Sequence, residues 1–251
     1  KSGEPLFISP EISIDVQQTI GADIIMSFDE CPPPHESQTY LKASVERTLR
    51  WAKRGKDYKT TDQALFGIVQ GGLDEALRLY SAQKTIEIGF DGYAIGGLSV
   101  GESKEDMYRI TTYLKDILPK EKPRYLMGVG APEDLIVNVM NGIDMFDCVL
   151  PTRLARHGTA LTTQGKIILK SERYKDDLTP IDPNLKTLAS PYTKSYLRHL
   201  YKAQEMLVAR LISIQNLAYL KHLMEEIRQA IQEDRLYDYY LEMKATTNYF
   251  V

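Results

Sequence analysis

The chain has 251 residues, 43% of them apolar, which is enough to bury a sizeable core as one barrel or as two small domains. A charged fraction of 26% and a formal net charge of -3 exclude the composition of a disordered chain. The longest apolar runs, such as 22–28 with Asp23 inside it, fall far short of the ~20 residues a membrane helix needs. Two cysteines, Cys31 and Cys148, cannot build a disulfide framework, and no basic segment precedes an apolar stretch, so a cytoplasmic location without membrane contact is expected.

In chain order, the turn at Ser9-Pro10 leads into a helix over 11–20 closed by Gly21, followed by a β-rich run over 23–28 that ends at Asp29-Glu30. Pro32, Pro33 and Pro34 forbid regular structure, and helical spacing resumes over 40–54 with Leu41, Val45, Leu49 and Trp51. Strands are expected at 65–69, 92–95, 124–127 and 143–146, alternating with helices at 73–88, 104–117 and 132–140. Beyond Pro151 the rhythm changes. A β-hairpin is expected over 159–163 and 166–169, then a polar stretch over 171–190 broken by Pro180 and Pro183, then two amphipathic helices over 192–212 and 216–232.

Strands alternating with helices imply a parallel sheet with right-handed crossovers, which an open doubly wound sheet satisfies as well as a closed barrel. Each strand ends in polar or glycine residues: Asp29, Gln70, Gly96, Met127-Gly128 and Asp147. These would share one rim in a barrel, whereas an open sheet would gather only those beside its switch point. Five strands are legible where a (β/α)8 barrel needs eight, so the expected fold is an incomplete TIM-type barrel with a C-terminal helical lobe.

Asp147, between Phe146 and Cys148 at a strand end, would be a dry, fixed carboxylate suited to attack on a sugar carbon, and equally an ordinary turn cap. Asp29 suits a base edge with adjacent N–H donors, and also suits an N-cap. Gln70 before Gly71-Gly72, and the run Gly96-Gly97-Leu98, offer an amide and open backbone N–H groups to a flat heterocycle, although glycine pairs after strands are common turn chemistry. Arg153, Arg156 and His157 could grip phosphates. They open a stretch, 151–210, that carries 11 basic and 5 acidic side chains, against 16 and 23 over 1–150. That asymmetry suits a polyanion or a solvated face.

Six runs taken together carry a resemblance: Phe28-Asp29-Glu30-Cys31-Pro32; Ser44 through Ala52; Phe66-Gly67-Ile68-Val69-Gln70-Gly71-Gly72; Gly89 through Leu98; Tyr125 through Gly130; and Asp144-Met145-Phe146-Asp147-Cys148 through Arg153. In order and spacing they resemble the tRNA-guanine transglycosylases of bacterial type. The resemblance implies a TIM barrel that exchanges the wobble guanine of tRNA for a 7-deazaguanine precursor of queuosine. Asp147 would be the nucleophile, by double displacement as in retaining glycosidases. It also implies that Asp29, Gln70, Gly96 and Gly97 read the base and that Cys31, Leu98 and Met127 line its pocket. Cys31 and Val100 resemble members that take the aminomethyl precursor. Gly128, Asp134, Thr152, Arg153 and Arg156 fall in the family's RNA-recognition segments. The implied partners are the tRNA anticodon loop, the guanine or 7-deazaguanine base and a second copy of the chain. On this reading residues 1–157 hold the barrel units and base pocket, and 158–251 the hairpin and helical lobe.

The family pattern is departed from twice. An amino-terminal part with the first barrel strands and an Asp-Ser-Gly-Gly segment, whose Asp is a general acid/base, has no counterpart among these residues. Where relatives place three zinc-binding cysteines and a histidine, this sequence has Leu185 to Pro191 and Gln215, so no cofactor is expected. The first departure would suit a non-catalytic tRNA-binding or partner subunit. Retention of Asp147 with the whole base-reading set suits the enzyme.

Overall fold

The computed structural model describes residues 3, 5–33 and 36–250. Pro34, expected to be irregular, lies outside the described residues. Contacts divide the chain into two units: residues up to Val129 with Asn141–Asp147, and Gly130–Met140 with Cys148 onward. The division expected after residue 157 falls inside the second unit.

The first unit is built from five parallel strands, β1 (Ile24–Met26), β2 (Ala64–Val69), β3 (Gly92–Ile95), β4 (Arg124–Leu126) and β5 (Met145–Phe146), hydrogen-bonded in sequence order. Each strand pairs with the next in the chain and the order never reverses, so the sheet is an arc of a barrel rather than a doubly wound sheet with a switch point. Of the helices that precede or connect the strands, α1 (Pro10–Ile20), α2 (Gln38–Tyr58), α3 (Glu75–Ile88) and α4 (Lys104–Leu114) belong to this unit. Each begins at a residue whose side-chain oxygen accepts from a first-turn amide: Ser9 from Ile12, Ser37 from Tyr40, Asp74 from Leu77 and Ser103 from Asp106. α1 stops where Gly21 turns left-handed. The core joins Ile25, Leu65, Val69, Ile95 and Leu126 of the sheet to Ile14, Ala52, Ile110 and Leu114 of the helices. β1 and β5 each have a single neighbour strand, and α1 leaves Ile12, Val16 and Ile20 exposed at one-turn spacing.

The second unit contains α5 (Pro132–Met140), α6 (Leu150–Arg156), the antiparallel hairpin β6 (Thr159–Thr162) and β7 (Gly165–Ile168), then α7 (Lys194–Lys202), α8 (Met206–Gln232) and α9 (Leu236–Thr246). The hairpin and α5 stand where the residue pattern puts them, and three features depart from it. α6 was not expected; Pro151 is accommodated in its first turn, which needs no proline N–H. The break expected after 212 lies at 203–205, where Gln204 adopts a left-handed φ of 58°. α8 then runs through Ser213, whose hydroxyl is absorbed by the Ala209 carbonyl at 2.7 Å. α9 was not expected.

Asn216, fully buried on α8, ties this unit together. Its Oδ1 accepts from Leu161 N at 2.7 Å, and its Nδ2 donates to the carbonyls of Pro151 at 2.9 Å and Thr159 at 3.1 Å. Asn216→Ala orphans the Leu161 amide and removes a donor from the Pro151 and Thr159 carbonyls where water does not reach, so it should cost about 3 kcal/mol in denaturant unfolding. A loss under about 0.5 kcal/mol, the scale of an ordinary surface substitution, would contradict that role.

Candidate active site

In a parallel sheet every strand delivers its C-terminal end to the same side, and in the first unit those ends carry the polar residues singled out by the sequence. Asp29 follows β1 and Gln70 follows β2, and the Gln70 Nε2 donates to Asp29 Oδ2 at 2.6 Å. Burial raises the Asp29 carboxyl above the usual carboxylate range, and the Gln70 hydrogen bond works against that rise. Gln70 is itself 1% exposed. Its main-chain N–H donates to Ser81 Oγ of α3 at 3.1 Å, while its Oε1 is buried with no hydrogen-bond partner among the described residues.

Gly96 and Gly97 continue β3 beneath this amide. A Cβ at Gly96 would stand 2.6 Å from Gln70 Nε2, one at Gly97 would stand 2.4 Å from Gln70 Oε1, and Gly97 has a φ of +65°. Only glycine meets both the close approach and the left-handed backbone. Leu98 is buried, Met127 half-buried and Cys31 exposed. The Cys31 thiol is pushed up, chiefly by partial burial and then by the Asp29 charge, with the Gly97 N–H acting in the opposite sense.

Asp147 follows β5. Its Oδ1 accepts from the Tyr125 hydroxyl at 2.6 Å and from Gly128 N at 2.9 Å. The expectation of a dry carboxylate is corrected: Asp147 is exposed, because β5 is a two-residue edge strand with a neighbour on one side. Its fixed position comes from two donors, not from burial. The Tyr125 hydroxyl is in turn raised, first by its own burial and then by the carboxylate it serves, so it remains a donor.

The sequence reading missed several contributors. Tyr125 was named only as the start of a resembling run and given no role, although a tyrosine at that position of β4 needs a partner for its hydroxyl. Glu102 accepts from the amides of Ser99 and Val100, fixing the turn after Leu98, with Ser99 at a left-handed φ of 60°. Arg78 and Ser81 sit fully buried on α3, where residues of those types read as solvent-facing.

Of the expected RNA-contacting residues, Gly128 is exposed in the first unit and the others lie in the second. Arg153 and Arg156 are exposed at i, i+3 spacing on α6, and Thr152 bonds back to the Val149 carbonyl at 3.1 Å. Asp134 is 8% exposed, and a buried carboxylate presents almost nothing to a phosphate backbone, so it is not carried into an RNA surface. In the segment compared with the family's zinc ligands, Thr187 Oγ1 donates to Gln215 Oε1 at 2.9 Å, and Gln215 Nε2 donates to the Leu161 carbonyl at 3.2 Å.

The family model described as queuine tRNA-ribosyltransferase matches residues 1–248. Queuine tRNA-ribosyltransferases of Staphylococcus aureus strains bovine RF122 / ET3-1, JH9 and N315 are each 53% identical to this chain over 241 residues. The match covers 95% of the chain and 64% of those relatives' length. Agreement of this extent, on a parallel half-barrel whose strand ends hold Asp29, Gln70, Gly96-Gly97 and Asp147, makes the chain a member of the queuine tRNA-ribosyltransferase family.

Proposed function

We propose that the chain carries the base-exchange chemistry of a tRNA-guanine transglycosylase, replacing the wobble guanine of tRNA with a 7-deazaguanine, the aminomethyl precursor by its Cys31 and Val100. The observation that carries this reading is the Asp147 carboxylate, held by Tyr125 and Gly128 on the same strand-end rim as the Asp29–Gln70 pair and the open Gly96-Gly97 backbone. One carboxylate oxygen is engaged by those two donors, which leaves Oδ2 as the attacking atom.

The steps follow from those groups. Asp147 attacks C1′ of the ribose, the C1′–N9 bond breaks, and its electron pair leaves with the purine, giving a covalent aspartyl-ribose. The departing purine anion takes up a proton from water; N9 of the incoming base, giving its proton up to water, then attacks C1′ from the face the first base left and displaces Asp147, so protons balance and configuration is retained overall. Asp29 and the free Gln70 Oε1 accept from donors on the base edge, and Gly97 N–H donates to its acceptor. The phosphate chain would run over exposed Arg153 and Arg156. We place the protein in the cytoplasm as a homodimer on the strength of the family resemblance; no helix among the described residues is long and apolar enough to cross a membrane.

The chain's own residues do not fit the zinc that the resemblance brings with it. Hydroxyl and amide groups of Thr187, Ser190 and Gln215 cannot replace thiolates and imidazole around tetrahedral zinc. The Thr187–Gln215 hydrogen bond supports a lobe held together at this place without a metal. We therefore expect a chelator to leave the melting temperature unchanged and elemental analysis to find less than stoichiometric zinc. A chelator-induced drop in melting temperature would overturn this.

Two further outcomes test the function. With a tRNA anticodon stem-loop, the parent should form a covalent protein–RNA species that survives denaturing electrophoresis and Asp147→Ala should form none; an adduct with that variant would remove Asp147 from its role. Replacing Arg153 and Arg156 together by Ala should weaken tRNA binding and reduce its log–log salt slope by about 1.4, near 0.7 for each single-stranded phosphate contact, while guanine binding stays as in the parent. An unchanged slope would place the RNA elsewhere, and loss of guanine binding as well would mean the arginines support the fold.

A further inference from the structure

α3 buries a polar face. Arg78, Ser81 and Thr85 are all fully buried, at spacings that put them on one side of the helix. Thr85 satisfies its hydroxyl locally, on the Ser81 carbonyl. Arg78 does something else. Its Nε donates to the Gly72 carbonyl at 2.8 Å, its Nη1 to those of Val69 at 2.9 Å and Gly96 at 2.7 Å, and its Nη2 to that of Gly97 at 3.3 Å. No carboxylate forms an ion pair with it among the described residues. Burial lowers its pKa to about 10, which leaves it cationic at neutral pH.

The four carbonyls belong to the segments that carry the base-reading groups. A peptide unit is planar and trans, so its C=O and N–H point in opposite directions. The Gly96 carbonyl and the Gly97 N–H share one such unit. Holding the carbonyl on the guanidinium therefore aims the N–H the opposite way, to the side where it acts on the Cys31 sulfur. The Val69 carbonyl and the Gln70 N–H share another, and here both ends are taken from α3: Arg78 holds the carbonyl and Ser81 Oγ accepts the N–H. Gln70 is thereby fixed at its main chain, its Nε2 is fixed on Asp29, and Oε1 remains a buried acceptor without a donor. An unpartnered buried acceptor beside an aimed N–H is a complementary pair awaiting a flat polar ligand.

We propose that Arg78, with Ser81 beside it, is the positioning residue of base recognition: it clamps the Val69, Gly72, Gly96 and Gly97 carbonyls so that the Gly97 N–H and the Gln70 amide face the edge of the purine. This rests on the base-exchange reading above. Arg78 itself touches no substrate.

The test compares the parent with Arg78→Lys, which keeps the charge but loses the fork of donors, and with Ser81→Ala, which removes a single neutral acceptor. Guanine and 2-aminopurine are the probes, because the latter lacks O6, the acceptor for an aimed N–H. Binding to each is measured by calorimetry, and tRNA binding is measured in parallel. In Arg78→Lys the preference for guanine over 2-aminopurine should fall about tenfold, with tRNA affinity unchanged; Ser81→Ala should show about threefold. A merely structural role would weaken both bases alike and leave their ratio where the parent has it, and that result overturns the proposal. If Arg78→Lys does not fold, an unchanged ratio in Ser81→Ala overturns it. Failure of the parent to bind guanine would count against the base-exchange reading itself, which distinguishes the two.

Discussion

A guanidinium sealed from water, with no carboxylate paired to it among the described residues, must satisfy its donors on the backbone, and the rim proposed to read the base depends on how Arg78 does so. Carbonyls at the ends of two parallel strands and in the turns beyond them point at a single planar group. Desolvating that charge costs several kcal/mol, so the site persists because all four acceptors converge. The geometry leaves little freedom: Gly96 and Gly97 lie so close under the Gln70 amide that a methyl group on either would collide with it. Strand order, turn conformation and the burial of one helix face are here a single constraint.

The carboxylate proposed as nucleophile is held on different terms. Asp147 stands on a short edge strand and is exposed, and its position comes from the Tyr125 hydroxyl and the Gly128 amide. With Oδ1 engaged by both donors, the second oxygen is left open, which is what attack on a sugar carbon requires. Base recognition, by contrast, is assigned to a buried and partly unsatisfied amide. The proposed chemistry thus divides between a wet carboxylate and a dry base pocket, both built within the first unit, while the exposed arginines of α6 belong to the second.

Much of this was legible in the sequence. The alternation of apolar strands and capped helices gave β3 and α5 at their observed limits, and the polar residues after each strand marked the rim because a parallel sheet sends all of them to one side. What escaped were residues whose role depends on contacts distant in sequence. Arg78 reads as a solvent-facing arginine until β3 is placed over α3. Tyr125 reads as strand filler until β5 brings Asp147 beside it. Ser213 and Gln215 read as a helix break, with Asn216 opening the next helix, until the hairpin supplies partners for Gln215 and Asn216 and the helix's own backbone takes Ser213. α6 escaped for a local reason, since a proline in the first turn can begin a helix as well as end one.

The account stands or falls on whether guanine actually leaves tRNA at this protein's hands. The most direct measurement supplies tRNA carrying labelled guanine at the wobble position together with an excess of unlabelled 7-aminomethyl-7-deazaguanine, and follows release of label and gain of the new base in the same tRNA. The account predicts one base incorporated for each guanine released, with no strand cleavage and with the original configuration at C1′. Tight tRNA binding with no release of guanine would contradict it and leave a tRNA-binding partner subunit as the reading of this chain.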